Sequence, residues 1–176
     1  MEKKPSAFVV SLGYGVILAL ALIVFSLILF LLELQQKPGL AYLSYVILLI
    51  GIILAQINFR NKHLGGYIDY GKAFTIGLLT SLVVAIIMGI YTYVFFKFID
   101  PGAMEEAMAL AEQKMMERGL SDMEIEQGMS MVRKFQTPGL YTLFAVLGNF
   151  IIGIVFSLIT AIFIKREDPG IDEPVA

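Results

Sequence analysis

His63 is the only histidine of the chain, and the carboxylate of Asp69 follows it in the same short polar segment. A histidine beside a carboxylate is a pairing that general acid–base catalysis uses, provided that a pocket brings both groups to a substrate. One such pair in a loop, without a recognisable nucleophile, metal-binding motif or phosphate-binding loop elsewhere, is weak evidence for catalysis. The sequence favours an interfacial loop, and we predict that the protein is not an enzyme.

Seven methionines lie between Met104 and Met131, in the most charged part of the chain. Their thioether sulfurs are the soft ligands that Cu(I) prefers. However, they recur at the spacing of one apolar helix face and have no partnering His or Cys, and methionine commonly fills irregular apolar contacts. The pattern therefore favours an apolar contact surface, and we predict no metal and no other cofactor.

Two further patterns are typical of transport proteins. The stretch Ser11 to Gly15, SLGYG, is similar to the potassium-filter signature, but a filter needs a re-entrant loop and this stretch lies inside an uninterrupted apolar run. Asn149 also lies in an apolar run, where it could belong to a polar transport site or bond to the backbone of Gly89 or to Thr92. Because no Asp, Glu, Lys, Arg or His lies in such a run, packing glycines and an interhelical bond are favoured.

These residues lie in or between segments that are predicted to be membrane helices. Of the 176 residues, 58% are apolar and 16% are charged, which lies outside the range of soluble domains. Four runs contain no charged side chain and are long enough to cross about 30 Å of hydrocarbon. They cover residues 8–32, 40–59, 73–96 and 141–164. The sequence thus predicts an all-α integral membrane protein, with residues 1–166 forming a four-span membrane domain and residues 167–176 a disordered tail.

The first run is too long for a signal peptide and has no small-x-small cleavage site after it, so it is predicted to be retained as the first span. The chain has no cysteine, which excludes disulfides and thiolate chemistry, and its net charge of −2 gives no indication of a nucleic-acid partner. Lys and Arg are densest in the short segments on the side of the N-terminus. We therefore expect both termini in the cytoplasm and the long segment between the third and fourth spans outside it.

The two halves of the chain share short patterns. Tyr14-Gly15 and Tyr70-Gly71 open the halves, and a Pro-Gly-Leu sequence leads into the second span of each half. These matches suggest that the four spans form two helical hairpins in the same orientation, as the parallel repeats of some transport proteins do. Chance explains the matches equally well, because Gly, Pro and Tyr are common at the ends of spans.

Small residues recur at every fourth position of the third and fourth spans, an arrangement that lets membrane helices approach closely. The residues predicted to pack are Gly77, Ser81, Ala85 and Gly89 in the third span, and Asn149, Gly153, Ser157 and Ala161 in the fourth. For antiparallel helices at matched depth, the expected pairs are Gly77 with Ala161, Ser81 with Ser157, Ala85 with Gly153 and Gly89 with Asn149.

Residues 100–137 are predicted to fold as an amphipathic helical hairpin outside the membrane, inserted between the third and fourth spans. Asp100 is suited to cap its first helix, with the following proline at the first helical position, and Gly119 is suited to end that helix. Ser121 and Glu124 have the spacing of a capping box for the second helix. Each helix has an apolar stripe and an acidic face. The stripe residues predicted to contact a partner are Met104, Met108, Met115, Ile125, Met129 and Val132.

Four short stretches follow one another in the second half of the chain. They are YIDYGKAF before the third span, YTYVFFKFIDPG at its end, ERGLSDMEIEQGM in the hairpin and TPG before the fourth span. With them, nearly the whole chain resembles a bacterial integral-membrane family catalogued as domain of unknown function 4199. The resemblance implies four spans and a location in the bacterial inner membrane. It implies no activity and no functional residues.

The function that the sequence favours is non-catalytic recognition of a partner through the acidic, methionine-rich hairpin. The partner would be a second copy of the chain or a subunit of an envelope assembly, with membrane lipids as the surroundings. The alternative is a small transporter or channel subunit that acts as an oligomer, because four helices with uncharged interiors enclose little polar volume.

Overall fold

The computed structural model of the protein describes residues 6–34, 37–134 and 137–166, and in these ranges it contains six α-helices and no strand. The helices are α1 (Ala7–Leu31), α2 (Pro38–His63), α3 (Tyr70–Val94), α4 (Ala103–Glu117), α5 (Asp122–Lys134) and α6 (Pro138–Ile164). A π-helical turn, Phe95–Ile99, continues α3. The predicted all-α class is confirmed, whereas the predicted tail, residues 167–176, lies outside the described residues.

Four helical stretches are long and apolar enough to cross a membrane, judged by length and composition. They are Ala7–Leu31, Tyr42–His63, Tyr70–Ile99 and Pro138–Ile164. Helix α2 continues beyond its apolar run through Arg60 and Lys62, which lie in its last turn. Basic side chains are favourable there because the last backbone carbonyls of a helix carry partial negative charge.

The described residues form two compact units. The bundle unit lies within residues 1–88 and 148–176 and contains α1, α2 and most of α3 and α6. The insert unit lies within residues 89–147 and contains α4, α5, the end of α3 with its π turn, and the start of α6.

Small residues bring the helices of the bundle unit close together. The buried residues of α1 share one face of the helix and are Ser11, Gly15, Leu18, Ala19 and Leu22. A β-carbon at Gly15 would stand 2.6 Å from that of Val83 on α3, and one at Gly51 on α2 would overlap the side chain of Leu18. The SLGYG stretch therefore belongs to a continuous helix in which Gly15 permits close packing, as predicted.

Helices α3 and α6 meet through small residues in a staggered arrangement. The hydroxyl oxygens of Ser81 and Ser157 lie 3.3 Å apart. A β-carbon at Gly77 would stand 2.7 Å from Ser157 Oγ, and one at Gly153 would overlap Ser81. Ser81 thus lies between Gly153 and Ser157, because a side chain on one packed helix occupies the gap between residues of the other.

In the pairing expected at matched depth, the pair Ser81 with Ser157 is confirmed by this contact, whereas two other pairs differ. That pairing placed Gly77 beside Ala161, but the α6 residue nearest to Gly77 is Ser157, one helical turn earlier. It placed Gly89 beside Asn149, whereas in the insert unit Gly89 lies against Val146 and Thr142. Spacing within each helix identifies a small-residue face, but only the contacts between side chains fix how far one helix slides along the other.

The first helix of the insert begins later than predicted. Helix α4 starts at Ala103, whose backbone N–H donates to Asp100 Oδ1 at 3.0 Å. Pro101 and Gly102 form the turn that this hydrogen bond closes, so the proline precedes the helix instead of occupying its first position. Asp100 still supplies an acceptor for the free N–H groups at the start of a helix.

The turn into the second helix of the insert follows the predicted signals. Gly119 has a φ angle of +74°, a left-handed conformation that favours glycine. The Ser121 N–H donates to Glu124 Oε2 at 2.8 Å, and the Glu124 N–H donates to Ser121 Oγ at 3.5 Å. The predicted capping box is therefore confirmed. The backbone N–H and the hydroxyl of Ser121 hold the pKa of the Glu124 carboxyl below its usual value.

Candidate functional site: an apolar groove in the insert unit

The predicted contact residues of the insert do not form one surface. Ile125 and Met129 are only 6% and 2% exposed. Met115 is half-buried, and its methyl carbon would lie 3.2 Å from a β-carbon at Gly128 of α5. Helices α4 and α5 contact each other, and these three side chains are largely covered within the protein's own fold.

The other predicted contact residues line an apolar groove of about 380 Å³ within the insert unit. Its lining residues are Phe96, Met104, Ala107, Met108, Val132, Tyr141 and Phe144. The π turn, α4, α5 and α6 each contribute to this lining. Phe96 meets Tyr141 edge-on, with 4.8 Å between the ring centroids. A cavity of this volume lies within the range of known ligand-binding pockets.

The π turn helps to shape the groove. The N–H of Asp100 donates to the carbonyl oxygen of Phe95 at 2.9 Å, which is the wider hydrogen-bonded turn of a π-helix. The extra residue in that turn rotates the following side chains relative to a regular α-helix. Phe95 is buried, while Phe96 lines the groove. The sequence contains the aromatic run, but no local pattern predicted a π turn.

A second cleft of the insert, about 290 Å³ in volume, combines carboxylates with apolar side chains. Its lining residues are Glu112, Met116, Asp122, Ile125, Glu126, Met129, Ser130 and Arg133. Three acidic groups thus accompany a single guanidinium. Among the described residues, no group of three His, Cys, Asp or Glu side chains could hold a metal ion. The cleft therefore offers negative charge beside methionine side chains without a metal-binding arrangement.

The bundle unit contains a buried polar cluster that the sequence patterns identified only in part. Its members, none of them more than 4% exposed, are Ser11, Gln56, Thr80, Ser81, Ser157 and Thr160. Gln56 Nε2 donates to the carbonyl of Ala73 at 3.0 Å, and Ser11 Oγ donates to that of Ile76 at 3.3 Å. Among the described residues, the amide oxygen of Gln56 and the hydroxyl of Thr80 have no hydrogen-bond partner.

The sequence identified Ser81 and Ser157 of this cluster as packing residues, but the polar residue that it singled out for transport or an interhelical bond was Asn149, which is not a member. Asn149 is half-buried, whereas Gln56 is completely buried. The signal for Gln56 was a side-chain amide inside the second apolar run, a signal that it shares with Asn58. An amide inside an apolar run must find partners within the protein, because hydrocarbon supplies none.

The predicted acid–base residues have separate roles. Asp69 Oδ1 accepts from the backbone N–H of Lys72 at 2.8 Å, and Asp69 Oδ2 lies 2.9 Å from Lys72 Nζ. The backbone N–H of Lys72, which has the larger effect, and the ammonium group of Lys72 both hold the pKa of the Asp69 carboxyl below its usual value. The ring of His63 lies 5.3 Å from that of Phe59. Within the described ranges, no hydrogen bond joins His63 to Asp69.

The family model described as a protein of unknown function, DUF4199, matches residues 13–166. The match includes all six helices apart from the first residues of α1. No curated protein and no solved structure matches the chain. The description of the family assigns no activity, so the function has to be inferred from the groove, the cleft and the polar cluster.

Proposed function

Since the chain belongs to the DUF4199 family, we propose that it is a protein of the bacterial inner membrane. In this proposal it is not an enzyme, and it recognises a partner through the helical hairpin α4–α5. Its four long helices cross the membrane as two hairpins, with both termini in the cytoplasm and the insert outside it. The apolar side chains exposed on these helices support insertion, since lipid would cover Leu31 and Phe163, which are 77% and 80% exposed. The density of Lys and Arg in the short segments supports the orientation.

The groove lined by Met104, Met108 and Val132 is the observation that carries this proposal. These side chains still face an open apolar groove after α4 and α5 have packed together. Phe96, Tyr141 and Phe144 belong to the candidate spans, whereas Met104, Met108 and Val132 belong to the hairpin outside them. On such a soluble segment, contiguous apolar surface in contact with water is unfavourable and marks binding sites. Methionine suits such a site, because its unbranched side chain adapts to the shape of a partner.

Charge favours a partner segment that carries Lys or Arg beside an apolar anchor. The cleft next to the Met129 side chain contains Glu112, Asp122 and Glu126 but only one basic group, Arg133. The hairpin of a second copy would bring the same acidic groups, and like charges facing each other oppose association. A subunit of an envelope assembly is therefore favoured over hairpin-to-hairpin self-association.

The test of partner recognition replaces both Met108 and Val132 by Glu in the full-length chain. We expect crosslinks from the insert to neighbouring envelope proteins in native membranes to fall about tenfold or more, because two carboxylates in the groove oppose entry of an apolar anchor. Met123→Glu combined with Met131→Glu is the matched control, since both methionines lie on α5, are 70% and 68% exposed, and do not line the groove. Equal crosslinking in the groove variant and the control would refute the proposal.

A second candidate function, transport, is favoured by the buried polar cluster. The unpartnered oxygens of Gln56 and Thr80 could contact a small polar solute or a cation inside the bundle unit. This candidate ranks second because the four apolar runs contain no Asp, Glu, Lys, Arg or His to couple ions or protons. The groove, in contrast, is open and already formed.

Flux measurements separate the two functions. If the protein acts by partner recognition, we expect liposomes that contain it to leak ions and small solutes no faster than protein-free liposomes. In that case we also expect Gln56→Leu to leave the flux unchanged. A protein-dependent flux that Gln56→Leu abolishes, while Asn58→Leu on the same helix preserves it, would establish transport through the polar cluster. Asn58 suits this control because it is polar but only half-buried.

A further inference from the structure

Polar side chains of α2 and α6 reach the same point of α3, at Gly77 in the bundle unit. The amide nitrogen of Gln56 donates to the carbonyl of Ala73 at 3.0 Å. A β-carbon at Gly77 would stand 2.8 Å from that nitrogen and 2.7 Å from Ser157 Oγ. The nitrogen and the hydroxyl oxygen are therefore at most about 5.5 Å apart, the sum of those two distances. Among the described residues no direct hydrogen bond joins the two side chains, and one water molecule can bridge such a separation.

The oxygen of the Gln56 amide is buried without a hydrogen-bond partner among the described residues. The amide cannot be turned round to correct this, because the carbonyl of Ala73 only accepts hydrogen bonds and so must face the amide nitrogen. An amide oxygen in an apolar interior has lost the hydrogen bonds that water gave it, and leaving it unpaired is unfavourable. The oxygen therefore requires a hydrogen-bond donor that the described side chains do not supply.

The two serines at the contact between α3 and α6 have already used their hydroxyl hydrogens. Ser81 donates to the carbonyl of Gly77 at 2.6 Å, and Ser157 donates to the carbonyl of Gly153 at 2.7 Å. A hydroxyl group has one hydrogen, and these contacts are shorter than the 3.3 Å between the two hydroxyl oxygens. Both oxygens can therefore only accept a further hydrogen bond, which is also true of the amide oxygen of Gln56.

The ligand that suits this surplus of acceptors is a small neutral donor of hydrogen bonds. A cation also binds oxygen atoms, but the four apolar runs contain no Asp or Glu to balance its charge. An unbalanced buried charge costs far more than a buried neutral molecule. Water has two hydrogens to donate and is held in protein interiors by roughly two to four polar groups. The chemistry of the site therefore favours water over a cation.

We propose that a water molecule is bound next to Gly77, where it donates one hydrogen to Gln56 Oε1 and the other to Ser157 Oγ. Helix α2 is then hydrogen-bonded to α3 through Ala73 and to α6 through the water. Gly77 permits this arrangement, because a β-carbon there would collide with both side chains. The proposal goes beyond partner recognition by the hairpin and does not depend on it. It assigns the unpartnered amide oxygen to a fixed water instead of a transported solute.

The test is a high-resolution crystal structure of the full-length protein, from crystals grown in rubidium chloride. We expect electron density for one water within about 3.2 Å of both Gln56 Oε1 and Ser157 Oγ, without the anomalous scattering of Rb⁺. Gln56→Met keeps the length of the side chain but removes its amide, so this density should be lost. Ser11→Ala is the matched control and should retain the density. Ser11 is as buried as Gln56, but its hydroxyl donates to the carbonyl of Ile76.

Two results for the unmodified protein would each overturn the proposal. One is a Gln56 oxygen that bonds directly to another protein group or has no density beside it. The other is an anomalous peak at this position, which would favour the cation of the second candidate function. Density that survives Gln56→Met would also contradict the assignment, because the amide would then not hold the water. Crosslinking from the insert tests partner recognition separately, so failure of the water site is distinguishable from failure of the proposed function.

Discussion

Gly153→Leu is expected to lower the free energy of unfolding of the purified protein by about 3 kcal/mol, because the new side chain has no space. A β-carbon at this position would already overlap Ser81 of α3. Ser81 cannot move aside cheaply, since its hydroxyl donates to the carbonyl of Gly77 at 2.6 Å and lies 3.3 Å from Ser157 Oγ. The larger Leu would force α3 and α6 apart and expose the polar cluster. Unfolding in detergent by a denaturant, followed by circular dichroism, measures the loss.

Gly148→Leu is the matched control for this change. Gly148 lies on the same helix and within the bundle unit, but no heavy atom outside its own helix lies within 4 Å of a β-carbon placed there. Leu has a higher helix propensity than Gly, so the control should be neutral or slightly stabilising. If both variants unfold at the same denaturant concentration, the close contact of α3 with α6 does not stabilise the fold.

Met129→Glu is expected to unfold the hairpin α4–α5 while the four long helices remain folded. Met129 is only 2% exposed, and a carboxylate at such a position loses its hydration, a cost of several kcal/mol that Arg133 one turn later offsets only in part. The two helices have 15 and 13 residues, and within them the buried side chains are those of Ile125 and Met129, both on α5. The hairpin therefore has little other buried surface to offset the charge. Hydrogen exchange resolved by peptide measures the loss of protection in α4 and α5.

Met131→Glu separates burial from charge in this experiment. It adds the same carboxylate two positions away on the same helix, where the side chain is 68% exposed. Its exchange pattern should match that of the unmodified protein. Hairpin protection that survives Met129→Glu would mean that α5 does not depend on the burial of this residue. For the same reason, Met129 is a poor probe of partner recognition, because changing it would remove the hairpin altogether.

Features that depend on residues close together in the chain could be predicted without the structure. Four uncharged apolar runs predicted the four long helices, because length and composition decide whether a helix can cross hydrocarbon. Gly119 and the pair Ser121 and Glu124 predicted the turn between α4 and α5, because a cap is made within one helical turn. The small-residue faces of α3 and α6 were visible for the same reason.

Which helix faces meet, and at what depth, depends on packing between helices and could not be predicted from the sequence. An apolar stripe has the same spacing whether its residues are buried within the protein or face a partner, so sequence could not separate Ile125 and Met129 from Met104 and Met108. It also gave no sign that Arg166 would lie beside Ile68. These outcomes depend on contacts between residues that are distant in the chain. The energy of such contacts depends on how the side chains of two helices fit together and form hydrogen bonds, and the periodicity of a single helix carries no information about either.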